Sequence, residues 1–405
     1  MSVSEPKVGI VLSGGGARGA YEAGILAGIV QAVGVKDADR ALFQVVAGTS
    51  VGAINGAWIA ANAHHGDHDV EQLVSLWQGL SLAEHLRVDL RGIVGWSSPL
   101  RFLRERRGGD RFGRSILDSR ALESMVRRAI DWTQMHANVD AGRLHAFVVA
   151  AMHIGTGVTT LFAECAPGAT FQPTKHPRRA TRWERIEAEH VLASAAIPVL
   201  FPARRVGQSY FVDGGLRFNT PIAPAIRAGA DKLVVITLRH DPPMDSVATS
   251  HAEEDYPSSI FMLGKILNAL LLDPVAYDLQ VLERFNRLME GMNAALTPEQ
   301  RARVDAMMVD ARGQAYRNIE TLSFEPSQDI GVMAGDHLRE HMPGWDLGRF
   351  YEWILARAAN VDATWEADFA SYLLFDGGWA RKVIELGRRD ALKKTAEIRT
   401  FFARS

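Results

Sequence analysis

Val8-Gly9-Ile10-Val11-Leu12-Ser13-Gly14-Gly15-Gly16-Ala17-Arg18-Gly19, and then Gly48-Thr49-Ser50-Val51-Gly52, decide how this chain reads. Each glycine-rich turn follows an apolar run rich in strand formers, Val8–Leu12 in one case and Leu42–Val46 in the other. Each opens a helical pattern of small residues. Strand, tight turn, helix, twice over, is the signature of a layered α/β fold.

The second turn has G-x-S-x-G spacing, which places a serine on a sharp strand-to-helix elbow with its hydroxyl exposed. Gly48 and Gly52 permit the turn and the close packing. The first turn can present a row of free backbone N–H groups from Gly14, Gly15 and Gly16, to which the Val51 N–H would add a donor. A serine nucleophile and an oxyanion hole are the two parts that acyl transfer needs most.

Gly14-x-Gly16-x-x-Gly19 also fits a dinucleotide-binding fingerprint, and a dinucleotide-binding oxidoreductase is the alternative it raises. That fingerprint expects an acid at the end of the second strand. Here the second strand runs into the serine elbow, and Asp37 and Asp39 precede it. A P-loop would place lysine after Gly19, where Ala20 stands.

Composition bounds the rest. The 405 residues are 47% hydrophobic, enough for one large core or two domains. A formal net charge of −2 gives no electrostatic case for nucleic acid. The lone cysteine, Cys165, excludes an internal disulfide and fits a reducing compartment. The polar N-terminus lacks a signal-peptide pattern. No run of about 18 uncharged apolar residues appears. A cytoplasmic protein with at most peripheral membrane contact is expected.

Further strand patterns occur at His145–Met152, Thr159–Ala163, Tyr210–Val212 and Lys232–Leu238, and a first helix is expected over Ala17–Val33. Within that helix Ala20, Gly24, Ala27 and Gly28 leave one side thin, suited to lying close on a sheet. Past Arg239 strand signals nearly vanish. Helical patterns cover Ser258–Met292, Asp346–Ala358, Ala363–Phe375 and Trp379–Phe401, and Thr297-Pro298-Glu299-Gln300 is a capping box. A boundary is expected near residue 240, with a catalytic α/β domain over 1–240 and a helical extension over 241–405.

A serine needs a base. Asp213-Gly214-Gly215 follows the Tyr210–Val212 strand, where a carboxylate can point off a sheet edge. A carboxylate is a weak base, with an ordinary pKa near 3.9. It therefore needs burial to raise its basicity and an oxyanion hole to share the work.

With these residues in view the chain resembles the patatin-like phospholipase family. It shows that family's oxyanion motif as Gly14-Gly15-Gly16-Ala17-Arg18-Gly19 and its nucleophile motif as Gly48-Thr49-Ser50-Val51-Gly52. Its Ala-Ser-x-x-x-Pro block stands at Ala193–Pro198 and its aspartate motif at Asp213-Gly214-Gly215. The motifs keep their order over roughly residues 7–240. The resemblance implies a three-layer α/β/α core, a Ser50–Asp213 dyad without histidine, and hydrolysis of phospholipids or other fatty acyl esters. It implies no cofactor, and no clustered His/Cys/Asp/Glu set has metal-ligand spacing in the sequence. A non-catalytic lipid-binding scaffold is the third reading.

Several residues carry two readings each. His240, His153 or His190 would complete a triad, or each is an ordinary histidine. Arg18 orients the oxyanion loop, or pairs with a carboxylate. Asp376-Gly377-Gly378 reads as a helix N-cap. Arg87–Arg114, with eight arginines and three acids, is a solvated loop or a surface for anionic headgroups. Ser258–Leu272 is core-packed, or an interfacial helix.

Overall fold

The computed structural model describes residues 5–35, 40–81, 87–88, 117–169, 171–173, 176–198, 200–240, 274–312, 315–341 and 364–403. The Ser258–Leu272 and Asp346–Ala358 patterns lie outside these residues, as does the Arg87–Arg114 run beyond Arg87 and Val88.

A single mixed sheet organises the molecule. Its parallel part holds β1 (Val8–Leu12), β2 (Val45–Thr49), β5 (Ala146–His153), β10 (Lys232–Ile236) and β11 (Glu320–Phe324), in the order β11-β10-β1-β2-β5. Beyond β5 come β6 (Thr159–Cys165), antiparallel to it, and β7 (Arg179–Trp183). β9 (Ser209–Asp213) pairs antiparallel with β5 and with β8 (Arg204–Val206). β3 (Arg87–Val88) and β4 (Leu117–Asp118) form a separate antiparallel pair.

Helices cover both faces, as parallel strands require. One face carries α1 (Ala20–Val33), α2 (Val51–Ala61), α3 (Val70–Gln78), α4 (Arg120–Ala129), α5 (Trp132–Asp140) and α6 (Ala188–Ser194). The other carries α7 (Ile222–Arg227), and α8 (Pro274–Ala295) packs against it through Leu279 and Leu282. α9 (Pro298–Arg312), α10 (Ile330–His341), α11 (Thr364–Leu373), α12 (Gly377–Lys393) and α13 (Thr395–Phe402) complete the helical C-terminal region. The predicted caps are present. Thr297 and Gln300 exchange side-chain and backbone bonds at the start of α9, and Asp376 accepts the Trp379 N–H at 3.0 Å. Among the described residues no helix is long and apolar enough to cross a membrane.

Two features differ from the sequence reading. First, the chain after residue 240 returns to the sheet as β11, parallel to β10 from Lys232↔Glu320 to Ile236↔Phe324. Glu320-Thr-Leu-Ser-Phe carries no continuous apolar run, and an edge strand needs none; it buries only Leu322 and Phe324. Second, the thin side of α1 faces another helix, not the sheet. A Cβ on Gly24 would stand 2.2 Å from the Ile384 carbonyl oxygen, and one on Gly387 2.5 Å from that of Tyr21. α1 and α12 thus cross with their backbones in contact, which only glycine allows. A chain ending at residue 240 would bare the β10 edge and the α1 face together. It is expected to be recovered as aggregate, checked by size-exclusion chromatography beside the full chain.

Candidate active site

The strand register collects the predicted residues at one end of the sheet. Leu12 lies beside Gly48, Thr49 beside Ala150, and Ala151 opposite Asp213. The turns after β1 and β2 and the end of β9 therefore meet, in the crevice outside the carboxyl ends of parallel strands.

Ser50 follows β2 directly and caps α2 with φ 56 and ψ −127. A non-glycine residue at such a positive φ is strained, and the surroundings must hold it there. Two bonds do so. The Ser50 N–H donates to Ser194 Oγ at 2.9 Å, and the Ser194 hydroxyl donates to the Ala150 carbonyl at 2.6 Å. The Ala193–Pro198 block thereby braces the elbow against β5. Ser50 itself is 2% exposed.

The glycine loop wraps over this elbow. A Cβ on Gly14 would lie 2.9 Å from Ser50 Cβ and 2.4 Å from Asn219 Oδ1. Asn219 grips Gly14 from both sides, accepting its N–H at 2.9 Å and donating to its carbonyl at 3.3 Å. This corrects the donor set read from the sequence: the Gly14 N–H is already committed. The Gly15, Gly16 and Val51 N–H groups make no protein hydrogen bond among the described residues. Gly16 has φ +57, and a Cβ there would stand 2.3 Å from the Tyr372 carbonyl oxygen.

Behind the loop lies a buried polar network. Glu22, fully buried, accepts the Ser13 N–H at 2.9 Å and an Asn55 amide N–H at 2.8 Å. Asn55 also donates to the Gly19 carbonyl and accepts from the Trp77 indole, both at 3.0 Å. Burial pushes the Glu22 carboxyl up to about 8. Arg18 is buried too and reaches the C-terminal helices. Its Nε donates to Ser371 Oγ at 2.7 Å, and its guanidinium lies 4.5 Å above the Tyr372 ring.

Asp213 is fully buried at the end of β9. Its Oδ1 accepts the Gly215 N–H at 2.7 Å, while Oδ2 makes no hydrogen bond of regular geometry. Burial raises its pKa to about 7, against the opposing pull of the neighbouring Ser50 hydroxyl and the Gly215 N–H. The candidate histidines are occupied elsewhere. His240 Nδ1 contacts the Pro326 carbonyl at 2.8 Å, His153 Nδ1 the Thr156 hydroxyl at 2.9 Å, and His190 Nδ1 accepts the Glu187 N–H at 3.0 Å.

Sequence reasoning missed Asn219, Glu22 and Asn55. Glu22 did carry a signal, since it is a charge amid the small apolar residues that open α1. The reading of metal-ligand spacing also missed one group. His337, Glu340 and His341 sit on one face of α10 with ligand atoms within 4.8 Å of one another, although Glu340 is paired with Lys382 at 2.6 Å.

A profile of one family, patatin-like phospholipase, matches residues 10–226. No curated protein matches the sequence. Solved structures that the chain matches include VipD from Legionella pneumophila, 12% identical with a TM-score of 0.34, where the match covers 94% of this chain and 67% of that one. Human GIVD cytosolic phospholipase A2 is 12% identical with a TM-score of 0.44, over 98% of this chain and 60% of that one. ExoU in complex with SpcU, from Pseudomonas aeruginosa, is 15% identical with a TM-score of 0.28, over 98% and 89%.

Proposed function

From the premise that the chain belongs to the patatin-like phospholipase family, we propose that it hydrolyses fatty acyl esters of phospholipid type with a Ser50–Asp213 dyad. The observation that carries this reading is the strained Ser50 elbow beside a buried carboxylate whose pKa is raised to about 7. A base works best when its pKa lies near the working pH.

Asp213 takes the Ser50 proton as Oγ attacks the ester carbonyl. The N–H groups of Gly15, Gly16 and Val51 receive the developing oxyanion, and the N-terminus of α2 adds its positive dipole end. Protonated Asp213 returns the proton to the departing alkoxide. Water then attacks the acyl-enzyme by the same steps, regenerating the serine. In this scheme residues 1–240 supply the reacting groups. Residues 241–405 supply the backing of the oxyanion loop through Ser371 and Tyr372. Arg18, Gly19, Gly48, Gly52, Gly214 and Gly215 shape the turns and react with nothing.

Incubation with a fluorophosphonate probe, then peptide mapping, should place the label on Ser50. A phospholipid panel with fatty acid detection should show release. An unlabelled, inactive protein would leave the third reading, a lipid-binding scaffold. Gly16→Ala tests the loop. The added methyl meets the Tyr372 backbone, and L-residues resist the local φ. A fall in kcat of tenfold or more is expected, toward the roughly 100- to 1000-fold cost of a lost oxyanion donor. An unchanged kcat on a short-chain ester would remove the loop from this role.

A further inference from the structure

A cavity of about 410 Å³ lies on the face of the sheet opposite α2. Phe218, Ile222 from α7, Leu282 and Phe285 from α8, and Ile319 give it apolar walls. The Tyr316 ring, also in the lining, stacks on that of Phe285, with centroids 4.8 Å apart and planes 15° from parallel. Small-molecule sites usually span roughly 300–1,000 Å³ and are mostly apolar, with a few polar groups that fix orientation.

Three charged side chains share this lining: Arg179, Arg317 and Asp278. Arg179 Cζ stands 4.2 Å from the centre of the Phe218 ring. Burial lowers the Arg179 pKa and raises that of Asp278, and each charge opposes the other's shift. The Arg179 guanidinium has therefore given up water, which increases its gain from an anionic partner. Arg317 is anchored at the end of α7, where its Nη2 donates to the Ala230 carbonyl at 2.5 Å and to that of Ile226 at 3.4 Å. Asp231, 3.7 Å from Arg317, is shared with Lys7 at 3.8 Å. Two guanidiniums against one carboxylate leave the lining positive, and its aromatic walls suit a flat apolar body.

Phe218 joins this cavity to the reacting groups. Its side chain stands in the wall, while its backbone serves the site. Its N–H donates at 2.9 Å to the carbonyl of Gly214, the residue after Asp213. Its carbonyl accepts at 3.2 Å the hydroxyl of Thr49, the residue before Ser50. The residue after it, Asn219, is the one that grips Gly14.

We infer that the cavity binds a small aromatic anion, and that its occupancy alters turnover at Ser50 through Phe218. The flat apolar body lies against Phe218 and Phe285, and one anionic group meets Arg179 and Arg317. The binding stands without the hydrolase reading; the effect on turnover rests on it.

The probe is anilinonaphthalene sulfonate, which brightens in apolar surroundings, beside N-phenylnaphthylamine, its uncharged counterpart. Binding of the sulfonate should saturate. Arg179→Met should weaken it at least tenfold and change binding of the uncharged probe less than twofold. Ala223→Trp, at an exposed position of α7 in the lining, fills the cavity and should weaken both probes at least tenfold. Sulfonate binding that neither variant weakens overturns the site, and an equal loss of both probes in Arg179→Met overturns the preference for an anion. The coupling is read as kcat on para-nitrophenyl butyrate with and without saturating sulfonate. It should change at least twofold in wild type and stay constant in Ala223→Trp. No change in wild type, or the same change in both proteins, overturns the coupling. A protein that cleaves no ester yet binds the sulfonate in this pattern upholds the site and overturns the hydrolase reading, and the coupling with it.

Discussion

Replacing Ser50 by alanine should remove ester hydrolysis and fluorophosphonate labelling together, while the far-ultraviolet circular dichroism spectrum stays that of the wild type. The loss expected is at least 1000-fold in kcat, because nothing else in the site can form the acyl-enzyme and the remaining groups act only by binding and oxyanion stabilisation. The fold should not suffer. The Ser50 hydroxyl supports no element of the sheet; it is the Ser50 N–H that is tied to Ser194. Alanine at φ 56 bears the same backbone strain as serine, so the elbow persists. Activity within tenfold of wild type would take Ser50 out of the mechanism.

Asp213→Asn should come close to that loss, since nucleophile and base act as a unit. It also separates activity from stability. In the folded protein Asp213 keeps its proton up to about pH 7, and in the unfolded chain only up to its ordinary 3.8. Between those values the folded state binds more protons, so stability falls as pH rises, by about 1.4 kcal/mol per unit for a single group. The full cost is present above pH 7. Asparagine carries no such cost. The variant should therefore melt higher than wild type at pH 8 and draw level with it near pH 4. Wild-type activity should rise with pH, tenfold per unit below about 7, and level off above it. Glu22, raised to about 8 by burial, adds a stability loss of the same sign, common to both proteins. An equal or lower Tm for Asp213→Asn at pH 8 would show that Asp213 is not held against its charge.

What could be read in advance was what a few neighbouring residues encode among themselves. The elbow needs Gly48, Ser50 and Gly52 within five positions, and the aspartate turn needs three. The N-caps at Asp376 and Thr297 are equally local. Long-range partners leave no such trace. Asn219 grips Gly14 across 205 positions and Ser371 meets Arg18 across 353, and neither a loop asparagine nor a helical serine announces a partner. The thin side of α1 was visible as glycines and alanines, but spacing alone cannot say whether a sheet or a helix fills it. β11 was hidden because polar and apolar residues alternate on an edge.

The glycine loop leans on Tyr372, more than 350 positions later in the sequence, and this bears on when the site can take its shape. A ribosome releases Ser50, Asp213 and the whole motif set long before residues 371–375 emerge. Until α11 and α12 arrive, Gly16 has nothing behind it and α1 has no partner for its glycine face. On the hydrolase reading, a copy cut short before residue 371 would carry Ser50 and Asp213 on a glycine loop with no backing, and is expected to be inert.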